Sequence, residues 1–336
     1  MLNGDVWLLI AALLPREDVR RLRKIIQSIF RSCATDDGEF SPGTVVAFLD
    51  EIPPSTAGTI TAVTLSPRIL VGSDVVDTVT WGCDHCDHVT LILNPVTAYH
   101  GEFSPVKPKR YITSISVIIS VARAAFTLSI ICDLEVRATK RVLWLQNIEI
   151  GPVLMYWMRK FLTQKARSVC VRVSSCVCRN DLCESFWLNF SSIRSTAEFV
   201  SAFLEDVAPM VVQALLTCLF LRTTCTNTRS VTLDVKLLED GQDADDTVRM
   251  LIAIHAWVIS FPHATALQLR LKNLTADSPE TQQLVLLLIS AAISHYQTIS
   301  LTIVGLSPVH QFSEHFSDKL YKWNATSMGN TIRLST

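Results

Sequence analysis

Val231-Thr232-Leu233-Asp234-Val235-Lys236-Leu237-Leu238 places apolar residues at its first, third, fifth and eighth positions. The same spacing returns at Leu267, Leu269, Leu271 and Leu274, and again at Ile299, Leu301, Ile303 and Leu306. Alternation over the first five positions buries one face of a strand, and the shift to the eighth marks where the strand ends. Earlier in the chain Val169, Val171, Val173 and Cys176 fit, as do Val89, Leu91, Leu93 and Val96. Leu143, Leu145 and Ile148 fit without the first position. From 169 to 231 there is room for two units, one of which is not recognisable.

The stretches between these strands read as amphipathic helices. Pro152–Ala166 opens on proline, Asp243–Ser260 runs into Phe261-Pro262, and Ser278–Tyr296 opens Ser-Pro-Glu. Thr196–Leu216 reads as a helix broken at Pro209. Strand, loop and helix recurring about every 30 residues describe a stacked αβ solenoid, in which each unit covers its neighbour's apolar face. A single-sheet α/β domain with buried parallel strands is the alternative.

Composition narrows the class. The chain has 336 residues, 49% hydrophobic and 18% charged, with a mean hydropathy of +0.32. It can therefore bury a large core. A formal net charge of −1 and no unmixed basic run give no electrostatic support to nucleic-acid binding. The ten cysteines come without a basic n-region or cleavage site, so a reducing compartment, cytoplasmic or nuclear, is expected. Ile112–Cys132 is long enough for a membrane span, but Arg123 at its centre speaks against one. Its apolar run reads as switching from helix to strand near Phe126.

The N-terminus is a separate unit. Leu2, Val6, Leu9, Ile10, Leu13 and Leu14 form one helical stripe that Pro15 ends. A second helix from about Arg16 to Arg31 turns Val19, Leu22, Ile25, Ile26, Ile29 and Phe30 inward. The divisions are 1–33 for this helical module, 34–58 for a linker with a short helix at Val45–Ile52, 59–310 for the repeat body and 311–336 for a tail or cap.

The stretch Leu2–Arg23, with its Leu14-Pro15 corner followed by Glu17-Asp18 and a leucine-bearing helix, resembles an F-box, most closely the fungal form. Asn3 stands where the family usually has its first proline. The resemblance implies an α/β chain with an F-box-like helical hook and an irregular leucine-rich-repeat-like αβ solenoid. It implies a substrate-recognition adaptor of an SCF-type ubiquitin ligase and no enzymatic activity. Leu2, Val6, Leu9, Ile10, Leu13, Leu14, Pro15 and Leu22 would bind a Skp-type adaptor, and through it the cullin-based ligase. The repeat body would hold an unknown target protein. A scaffolding protein without a ligase connection is the alternative.

Residues that could carry chemistry are few. Cys83, His85, Cys86 and His88 are a weak metal candidate, too crowded in sequence for a tetrahedral zinc site on their own. Cys170, Cys176, Cys178 and Cys183 read as strand and loop positions of one repeat. Glu239, Asp240, Asp243, Asp245 and Asp246 read as a solvated helix start, without calcium-loop spacing. Trp144, Trp157 and Trp187 are either core or binding residues. No nucleotide-binding glycine loop occurs, and neither a cofactor, a nucleic acid nor a membrane is expected as a partner.

Overall fold

The computed structural model describes residues 45–47, 62–65, 72–93, 108, 110–120, 125–178, 193–220, 223–239, 242–275, 278–305, 324–328 and 331–335. The chain begins with β1 (Val45–Ala47), β2 (Ala62–Leu65), α1 (Gly72–His85), β3 (His88–Leu93) and β4 (Tyr111–Ile119). Next come α2 (Ala125–Asp133), β5 (Arg137–Gln146), β6 (Glu149–Ile150), α3 (Pro152–Thr163), β7 (Ser168–Ser174) and β8 (Val177–Cys178). β9 (Ile193–Arg194), β10 (Phe199–Val207), α4 (Pro209–Leu219), β11 (Thr223–Thr224), β12 (Ser230–Leu237) and α5 (Ala244–Ile259) follow. β13 (Ala266–Lys272), α6 (Pro279–His295), β14 (Thr298–Val304), β15 (Asn324–Met328) and β16 (Thr331–Ser335) complete the described elements.

The architecture is mixed α/β around a mostly parallel sheet. Its strands lie in the order β1-β2-β3-β4-β5-β7-β10-β12-β13-β14, closed by β16 and β15. From β1 to β14 every pairing is parallel; β14, β16 and β15 pair antiparallel. From β1 to β14 each new strand of this sheet lies beside the one before it, and the order reverses only at the β16-β15 edge; β6 pairs with β8 and β9 with β11 in two small separate sheets. A right-handed crossover repeated in one direction puts successive helices on the same side of a sheet. Consecutive helices do pack side by side from α1 to α6.

Register aligns the apolar spacing across the sheet. Val89, Ile115, Arg141, Val169, Val200, Val231, Leu267 and Ile299 form one row. The unit hidden between 169 and 231 is Val200, Ala202, Leu204 and Val207, at the same four positions. Residue seven of the motif takes a left-handed backbone at Asn147, Ser175, Asp206, Asn273 and Gly305. That turn moves the next inward side chain from the seventh position to the eighth. Ile148, Cys176, Val207 and Leu274 are buried accordingly.

Several expectations change. Leu238, read as the eighth position of its unit, is 44% exposed, and Leu237 is buried instead. No left-handed residue interrupts β12, so plain alternation runs to its end. Thr196–Leu216 is not one helix: Phe199–Val207 is strand, and α4 starts at Pro209. Alternation of buried Val200, Ala202 and Leu204 with outward Phe199 and Phe203 decides this, although small Ala202 hides it. The helix expected at 45–52 is strand over its described residues, where Val45 and Val46 pair with Val63 and Thr64. Strands thus occur within 34–58 and 311–336, both drawn as flanking the body.

The apolar stretch 112–132 is strand first and helix second, the reverse of the expected switch. β-Branched residues dominate its first half, and they suit a strand. No described helix is long and apolar enough to cross a membrane.

The core lies between sheet and helices. Trp257 is fully buried and meets Phe220 and Phe261 edge-on, with ring centroids 6.2 and 5.1 Å away. The Tyr296 hydroxyl donates to the Val258 carbonyl over 2.6 Å, tying the end of α6 to α5. Asp243 caps α5 by accepting from the Asp245 N–H, and Ser278 caps α6 by accepting from that of Thr281. Asp245 and Asp246 occupy the first turn of α5, favourable for its dipole.

Candidate functional site

The side of the sheet opposite the helices is less covered. Along β12 the burial alternates strictly between buried and half-buried residues, and β10 turns Phe199, Phe203 and Glu205 into solvent. Three successive rows cross this face. Ser114, Lys140, Ser168, Phe199 and Ser230 form the first. Ser116, Val142, Cys170, Ser201 and Thr232 form the second. Ile118, Trp144, Arg172, Phe203 and Asp234 form the third.

Arg172 lies between two rings. Its guanidinium carbon is 6.0 Å from the Trp144 centroid and 5.4 Å from that of Phe203. Rings on both sides hold a guanidinium by cation–π attraction and strip part of its water. No carboxylate pairs with Arg172 among the described residues; it reaches the Cys170 thiol instead. Farther along, Asp234 is 3.6 Å from Arg270 and 3.9 Å from Lys272, and Lys236 is 2.9 Å from Asp206.

A cleft of about 450 Å³ opens at the starts of β3, β4, β5, β7 and β10. Hydroxyls of Ser114, Thr139 and Ser168 line it with Lys140, Arg167 and the ring of Phe199. Arg167 bonds Glu198 at 3.2 Å and sits 5.7 Å from the Phe199 centroid. Cleft and clamp share β5, β7 and β10, forming one cationic and aromatic patch.

The expected adaptor-binding residues Leu2, Val6, Leu9, Ile10, Leu13, Leu14, Pro15 and Leu22 lie outside the described residues. Of the metal candidates, Cys83 and Cys86 are fully buried, while His88 is exposed and its Nδ1 lies 2.9 Å from the Ser114 hydroxyl. Among the described residues no three histidine, cysteine, aspartate or glutamate side chains group to hold a metal ion. Burial pushes the Cys83 thiol up to about 12 and that of Cys86 to about 11. Thiols so raised stay protonated at neutral pH and are poor nucleophiles and poor ligands. Cys170, Cys176 and Cys178 are buried too, and Cys183 lies outside the described residues.

Of the tryptophans, Trp144 is half-buried on the open face, whereas Trp157 packs against the core. Sequence reasoning missed Lys140, Arg172, Phe199 and Phe203. The signal was present in their outward positions within the apolar spacing, with aromatic residues and arginine where small polar residues usually suffice.

Fold and face together define a class: a mixed α/β protein whose mostly parallel sheet is layered by helices on one side and less covered on the other. Compared with known proteins, the chain matches no family model and no curated protein.

Proposed function

We propose that this chain is the substrate-recognition adaptor of an SCF-type ubiquitin ligase, acting in the cytoplasm or nucleus. Residues 1–33 dock as an F-box on a Skp-type adaptor. An irregular leucine-rich-repeat-like αβ solenoid presents its open sheet face to the target protein. The observation that carries the binding role is the uncovered row of Trp144, Arg172 and Phe203 at the middle of the sheet. Aromatic residues and arginine concentrate binding energy when a partner covers them.

Two features support the repeat reading. From β1 to β14 the strands of the main sheet follow sequence order, and a left-handed residue recurs at the seventh position of five units, the β12 unit being the exception. Support for the ligase connection comes from the Leu14-Pro15 corner and the helical stripe before it. An amphipathic helix pair can complete its core on the apolar groove of a partner. The chain itself performs no chemistry in this reading.

Co-expression with a Skp-type adaptor tests it. The full chain retains the adaptor through purification, and Leu9→Asp or Leu13→Asp releases it with an unchanged melting temperature. If the wild-type chain does not retain the adaptor, or if those variants unfold, the ligase connection is lost and a non-ligase scaffolding role replaces it.

A further inference from the structure

On the reading that the open face is the target-binding surface, we propose that it takes an extended acidic peptide, with one carboxylate at Arg172 and a second, four residues away, at Lys140. Three observations lead there.

The first is an imbalance of charge. Outward positions on β5 to β13 carry the cations Arg137, Lys140, Arg172, Lys236, Arg270 and Lys272. Against them stand Glu205, Asp206 and Asp234. Asp206 and Asp234 are engaged by Lys236, Arg270 and Lys272, so the uncompensated cations collect on β5 and β7. A chain of net charge −1 thus holds a local positive surface. Such a surface attracts acidic segments and repels basic ones.

The second is the Arg172 clamp. Rings lie on either side of the guanidinium, and no carboxylate pairs with it among the described residues; in exchange for its contact with the Cys170 thiol it can bind an incoming carboxylate through two parallel hydrogen bonds.

The third is spacing. Lys140 is the cross-strand partner of Ser168, four residues before Arg172 on β7. At the rise of a strand that is about 13 Å, the distance between side chains i and i+4 on one side of an extended peptide. The row between them, with Val142, Cys170 and Ser201, is small and partly apolar, so residue i+2 is an aliphatic one. The pattern is acidic, any, aliphatic, any, acidic.

Single-stranded RNA also favours basic and aromatic surfaces. The carboxylates of Glu205, Asp206 and Asp234 on the same face oppose a run of phosphates, whereas a peptide with two acids can avoid them.

The full chain is titrated with fluorescent peptides containing glutamate–serine–leucine–serine–glutamate, the same with both glutamates replaced by glutamine, and one with the glutamates six residues apart. An oligouridine serves as the RNA probe. The expected result is binding of the first peptide about tenfold tighter than either other peptide, weakened about tenfold by Arg172→Gln or Lys140→Gln. Arg249→Gln, on α5, leaves it unchanged. Circular dichroism confirms that each variant is folded.

If glutamate and glutamine peptides bind alike and Phe203→Ser abolishes both, the acidic preference is overturned while the open face stands as a peptide surface. If no peptide binds, or if oligouridine binds more tightly than the peptides, the acidic-peptide assignment and its underlying reading both fall.

Discussion

Arg141 and Phe161 meet inside the core, the guanidinium carbon 5.1 Å from the ring centroid, and no carboxylate joins them among the described residues. Arg141 occupies the first apolar position missing from the unit of Leu143, Leu145 and Ile148, where its row neighbours are Ile115 and Val169. One guanidinium nitrogen donates to the Val136 carbonyl, while Nε and Nη1 have no partner. Burial pulls its pKa down to about 10.

The balance of these terms gives a direction for Arg141→Met. Cation–π attraction to a buried ring contributes about 2 kcal/mol. Desolvating an ion costs several kcal/mol, and the unpaired Nε and Nη1 donors add to that. Methionine fills much of the same space without charge. Arg141→Met is expected to raise unfolding free energy by about 1 to 2 kcal/mol in urea titration. A fall of that size would mean that Arg141 is satisfied by a buried acceptor.

Much of this fold was legible in the spacing of Val231, Leu233 and Val235 and its recurrences, because burial on one face forces alternation. What was hidden was hidden by size or by exception. Ala202 is too small to advertise a strand, and Arg141 is charged at an apolar position. The end of β12 lacks the left-handed turn of its neighbours. The candidate site on the open face was far less legible: outward positions tolerate many residues, and only register brings Trp144, Arg172 and Phe203 together.

The end of β12 separates two adjacent leucines. Leu237 is 1% exposed and Leu238 is 44% exposed. Leu237→Ala leaves a cavity and is expected to cost about 2 to 4 kcal/mol, whereas Leu238→Ala costs less than about 1 kcal/mol. Thermal melts of the two variants check this, and equal losses would place the strand out of register.

Alkaline pH is expected to destabilise the protein through its buried thiols. Burial raises Cys83 and Cys132 from 9.0 to about 12, and Cys86 and Cys225 to about 11. The unfolded chain ionises these groups first, so above pH 9.0 it binds fewer protons than the folded chain and stability falls as pH rises. The Arg141 shift has the opposite sign but acts only from about 10 upward. Denaturation midpoints under reductant should therefore decline from about pH 8 to about pH 10, and less steeply in Cys132→Ala. A flat profile would show that the thiols are reached by water.

Gly305 closes the series of left-handed residues with a φ of +113°, farther into the glycine region than Asn147 or Ser175 at +51° and +50°. A Cβ at this position would run into the Leu274 carbonyl oxygen and backbone nitrogen. Those are main-chain atoms, and Leu274 N donates to the Val304 carbonyl over 3.0 Å, so neither side can yield without breaking the turn. Gly305→Ala is expected to cost about 2 kcal/mol or more, from backbone strain and collision together. Ser175→Gly works in the other direction, relieving a left-handed serine, and should raise stability by about 0.5 kcal/mol. Opposite shifts in melting temperature would establish that the seventh position of each unit is set by its backbone; shifts of the same sign would refute it.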